Sequence, residues 1–125
     1  MVYEPWGSVE SDGYRRLQAA LGRQEIDPYT AQCYDHICLA VLAMARAGAA
    51  TGEAIRDNVR NVSQGGGTAV TWVLDGLRHV AAGTKIDFSG ASGPCDFDPI
   101  GDISGVQYRF SRYNNRRLET VRIGT

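Results

Sequence analysis

The sequence predicts an α/β chain of about four helices followed by short strands and a C-terminal β-hairpin. Three observations carry this. Apolar residues recur at i, i+3 and i+4 through the first two thirds of the chain. Beyond Gly83 the pattern becomes a two-residue alternation. The 15 glycines cluster between these stretches instead of spreading, so they mark element boundaries.

Tyr14, Leu17 and Leu21 stand at helical spacing with Arg15, Arg16 and Gln18 between them, which predicts a short amphipathic helix closing at Gly22. A second helix is expected from Pro28, a favourable first-turn residue, to Ala47, with Gly48 ending it. Its middle, 37–45, is apolar almost all round, so it needs burial on several sides. Thr51 suits the N-cap of a third helix in which Ile55, Val59 and Val62 share one face and Glu53, Arg56, Asp57 and Arg60 the other. Val70, Val73, Leu74, Leu77, Val80 and Ala81 predict a fourth, stopping at Gly83. Ile86-Asp87-Phe88 and Cys95-Asp96-Phe97 then read as short extended segments around the turn-rich 89–94. Tyr108 and Phe110 alternate with polar residues, and 118–123 forms the second arm of a hairpin across Asn114-Asn115. A helix as apolar as 34–47 normally lies against a sheet, and few strands are available to make one. The burial demand alone points to part of a larger α/β protein.

Thirteen Lys and Arg against fourteen Asp and Glu leave a formal charge of −1, which argues against a broad electrostatic grip on nucleic acid or an anionic membrane. The longest apolar run, 37–45, is far short of the roughly 18–20 residues that span a bilayer, and the first six residues lack the pattern of an export signal. Three cysteines are too few for a disulfide scaffold, and Cys33, Cys38 and Cys95 are all expected to be small buried hydrophobes.

The chemical motifs are incomplete. Cys33-x-x-His36 supplies two metal ligands where a structural zinc site needs four, so no metal site is assigned. Asp96-x-Asp98-x-x-Gly101-Asp102 imitates a calcium loop but has Ile100 and Gln107 at ligand positions; an Asx-type turn is the better reading. Ser92 lies in Gly90-Ala91-Ser92-Gly93-Pro94, which is not a nucleophile elbow, and has no nearby base in sequence. Gly65-Gly66-Gly67-Thr68, ahead of the expected fourth helix, lacks the Lys of a phosphate loop and reads as a flexible connection. Arg116-Arg117 beside Tyr108, Phe110 and Tyr113 reads as the basic face of a hairpin. No catalytic residues, no cofactor and no enzyme are read from the chain.

Pro28-Tyr29-Thr30-Ala31-Gln32-Cys33-Tyr34-Asp35 followed by an apolar helix, then 52–62, then 86–94 and 96–102, resemble in order and spacing the Leu/Ile/Val-binding family of periplasmic solute-binding proteins that feed ABC importers. The resemblance covers most of 10–113. It implies two α/β lobes with ligand in the cleft between them, of which this chain would be the closing third. Residues 1–105 would be the helical return segment of the first lobe, and 106–125 a hinge crossover and a hairpin of the second. It implies a small-molecule ligand such as a branched-chain amino acid or amide, a membrane permease as partner and a periplasmic location. One ligand contact carries over: Tyr29, whose aromatic face would touch the ligand's side chain, although it could equally pack the helix start. Cys33, His36 and Cys38 replace small or apolar residues of the family pattern, and Cys95 an aliphatic one. The alternative use of the same fold is a ligand-sensing part of a receptor or regulator. Tight ligand binding by this chain alone is not expected. Its unpartnered helix predicts a homo-oligomer.

Overall fold

A computed structural model describes residues 1–6 and 11–125. The chain runs β1 (Val2–Trp6), α1 (Asp12–Leu21), α2 (Pro28–Ala47), α3 (Gly52–Ser63), β2 (Thr68–Val70), α4 (Val73–Ala81), β3 (Ile86–Gly90), β4 (Gly93–Pro94), β5 (Gln107–Asn114) and β6 (Arg117–Gly124). This is the expected mixed α/β architecture of four helices, short strands and a terminal hairpin.

Local chemistry sets the helix ends. Ser11 accepts from the Tyr14 N–H to start α1, and Gly22 closes it at φ 63°. Asp27 caps α2 by accepting from the Thr30 N–H at 2.9 Å, Pro28 occupies its first turn, and Gly48 ends it in the left-handed region. Thr51 caps α3 through the Ala54 N–H.

α2 is the spine. It packs against α3 and α4 and lies on the sheet β2-β3-β4, in which β2 and β3 are parallel and β4 returns antiparallel. Cys38, Leu39, Leu42 and Ala43 meet Val62, Val70, Ile86, Phe88 and Cys95 in the main core. α4 sits close on α2 because Gly76 has no side chain; a Cβ there would come within 2.7 Å of Leu42 Cδ2. A second cluster of Tyr14, Leu17, Ile26, Ala31 and Ala91 seats α1, with Tyr34 packing against both.

The other sheet, in the order β1-β5-β6, is antiparallel throughout. β1 and β5 lie more than a hundred residues apart, so their pairing leaves no local signal. β5 and β6 are joined through Asn115 and Arg116, both at positive φ, one residue later than the expected turn.

Other expectations shift as well. Val70 ends β2 and does not belong to α4, because its side chain is needed in the core beside Phe88. The glycine triplet therefore enters a strand, not a helix, and Lys85 Nζ donates to the Gly65 carbonyl at 2.8 Å. Residues 95–97 are not a strand; Phe97 makes only one bridge, to Ile103. Cys38 and Cys95 are buried, but Cys33 is exposed. It lies two residues from both buried Ala31 and buried Asp35, about 200° round the helix from each, and so faces outward. The sheet on α2 covers one side of it only: Ile37 remains 67% exposed. No single helix is long and apolar enough to cross a membrane among the described residues.

Candidate functional site

The segment after β3 turns back along α2, and one buried carboxylate holds it there. Asp35, only 2% exposed, accepts from the Ala91 N–H at 2.7 Å, the Ser92 N–H at 2.8 Å and the Ser92 hydroxyl at 2.5 Å. Gly90 makes room for it, since a Cβ would lie 2.1 Å from Asp35 Oδ1. Burial pushes the Asp35 pKa up, while the Ser92 and Ala91 donors and neighbouring His36 pull it partly back. Ser92 thus has a carboxylate partner that lies too far away in sequence to be seen, but Asp35 is shared with two backbone donors and makes a clamp, not a base poised for nucleophilic attack.

Beyond the clamp, 95–107 stands off α2 and leaves a groove of about 490 Å³, within the roughly 300–1,000 Å³ usual for small-molecule sites. Gln32, Asp35, His36 and Leu39 of α2 line it together with Trp6, Phe97 and 101–107. The loop is held by Asp98, whose Oδ1 accepts from the N–H groups of Ile100, Gly101 and Asp102 at 2.9–3.0 Å. This is the Asx-type turn expected for the calcium-loop lookalike. α3 ties the same loop down, with Arg60 donating to the Asp98 carbonyl at 2.6 Å and the Gln64 carboxamide pairing with the Phe97 backbone. Trp6 is fixed from behind by the Arg109 guanidinium, 4.4 Å from the ring centroid. Arg109 in turn donates to Glu4 and lies 3.9 Å from Glu25.

Tyr29 is 56% exposed on the first turn of α2 and does not line the groove. It stands at i, i+3 and i+7 with Gln32 and His36, so it continues the groove-facing side of the helix toward its N-terminus. That spacing was the available signal for Gln32 and His36. Trp6, Phe97 and Asp102 come from elsewhere in the fold and carry none. His36 and Cys33 are both exposed, and the described residues hold no group of three or more His, Cys, Asp or Glu able to bind a metal ion. Burial raises the Cys95 thiol to about 12 and pushes Cys38 up as well, which disfavours the thiolate at both.

No protein-family profile and no solved structure matches the chain. Over 93 residues, 71% of its length, the chain is 34% identical to the chemotactic signal transduction system substrate-binding protein BasB of Halobacterium salinarum. The matched region is 22% of that relative. The chain is thus related in sequence to part of a substrate-binding protein.

Proposed function

We propose that this chain is the C-terminal portion of a solute-binding protein of the Leu/Ile/Val-binding type, taking up a small solute such as a branched-chain amino acid or an amide for an ABC-type membrane permease. The observation that carries the reading is the 34% identity over 93 residues to a substrate-binding protein. The groove lined by Trp6, Gln32 and His36 supports it, because a concave site with an aromatic ring and convergent polar groups suits a small solute. Residues 1–105 would return through the first lobe and 106–125 cross to the second, with lobe closure, not bond chemistry, as the working step. The location that goes with this reading is periplasmic. BasB's own description favours a second use, ligand sensing for a signalling receptor, in which the same groove reports the solute instead of delivering it.

Thermal-shift titration tests the reading, since even weak binding raises the melting temperature once the solute far exceeds its Kd. Leucine, small amides and related solutes at high concentration should include at least one that raises Tm saturably, with Trp6→Ala, which removes an aromatic ring from the groove lining, losing about tenfold in affinity. A flat response across the panel contradicts it. Cross-linking in cells separates the two uses: a permease supports uptake, a transducer supports sensing.

A further inference from the structure

We propose that the groove between α2 and 101–107 is selective for a small organic ammonium ion over a carboxylate or other anion. This rests on the solute-binding reading and specifies the charge of what enters. The titratable side chains lining the groove include Asp35, His36 and Asp102, and no Lys or Arg is among them. Asp35 is fully engaged by Ala91 and Ser92 and offers an anion no donor. Asp102 is exposed at the rim; its backbone is used by Asp98, while its carboxylate makes no hydrogen bond or ion pair among the described residues.

Arg109 is the guanidinium packed behind Trp6, and it does not reverse this sign. It is held against that ring and answered by Glu4 and Glu25. An anionic solute would therefore leave water for a groove that has no free permanent cation among the described residues, which is costly. An ammonium group finds a free carboxylate at the rim and the aromatic rings of Trp6 and Phe97, while an aliphatic body finds Leu39 and Val106.

Three probes of nearly one shape differ in charge: isobutylammonium, isovaleramide and isovalerate. Each is titrated into the whole chain while the Trp6 indole and His36 ring signals are followed by NMR. Isobutylammonium should shift both saturably, isovalerate should not, and raising salt should weaken the binding. Asp102→Asn should weaken isobutylammonium about two- to fivefold, the range of an exposed ion pair, and leave isovaleramide unchanged. Isovalerate binding as well as isobutylammonium, or isobutylammonium indifferent to Asp102→Asn, overturns the inference while leaving small-solute binding in place. No response to any of the three overturns both. Because Asp102 is exposed and its structural bonds are made by its backbone, the variant keeps the loop, which its unchanged isovaleramide titration verifies.

Discussion

β3 and β6 each belong to a three-stranded sheet, yet they live in opposite surroundings. Ile86 and Phe88 of β3 are completely buried between α2, α3 and α4. From Arg117 to Ile123, every residue of β6 is exposed. The first sheet is held by a shared core. The second is held by backbone pairing and side-chain contacts such as Tyr3 with Phe110, at 6.4 Å between ring centroids, and Arg122 over the Phe110 ring at 4.5 Å. The contrast separates a body that carries its own burial from a ribbon that borrows its order from local pairs, and the groove is built where they meet at Trp6 and Gln107.

Cutting apolar mass from each sheet should have the largest effect. Phe88→Ala should cost about 3–5 kcal/mol in urea unfolding, the usual range for a fully buried aromatic. Leu118→Ala, at 46% exposure on β6, should stay within about 0.5 kcal/mol. Equal costs would mean that the ribbon shares the core's cooperativity.

Asp35→Asn comes next, because its NH2 group would face an N–H donor of Ala91 or Ser92 where the carboxyl group, protonated or not, keeps an acceptor oxygen. A loss of about 2 kcal/mol is expected at the acidic end of the range. The pH dependence has a definite sign. Folded Asp35 keeps its proton to a higher pH than the ordinary 3.8, so the folded state binds more protons between the two values. The stability tied to Asp35 is therefore fully present below 3.8 and lost as pH rises through the raised folded value. The gap between wild type and variant should narrow as pH increases, and a widening gap would contradict the assignment.

Least visible in stability, and most specific to the uncovered side of α2, is Ile37→Glu. We expect the isolated chain to be at least a dimer through that side, on which Cys33 and Ile37 are exposed. The substitution should leave unfolding within about 0.5 kcal/mol and shift sedimentation to a monomer. A wild-type monomer at high concentration would contradict the expectation.

What could be read from the sequence was the part that local chemistry writes. The bounds of α2 followed from Pro28 and Gly48, the start of α3 from Thr51, and the turn at 98–102 from its aspartates and glycine. What could not be read depends on partners far along the chain. β1 exists because β5 is there to pair with it, Val70 is a strand residue because Phe88 and Ile86 need a neighbour, and Asp35 meets Ser92 across 57 residues. The groove shares that origin: Gln32 and His36 follow one helix face, whereas Trp6, Phe97 and Asp102 arrive only through the tertiary fold.

α2 and β3, tied together by Asp35 through the turn at Ala91 and Ser92, form the rigid body on which the groove is built, with the terminal ribbon as a separately opening addition. Native-state amide hydrogen exchange measures this directly. The amides of Leu42 and Phe88 should exchange only through global unfolding, while those of β6 should exchange through local opening at far lower free energy. Equal protection in β3 and β6 would contradict it.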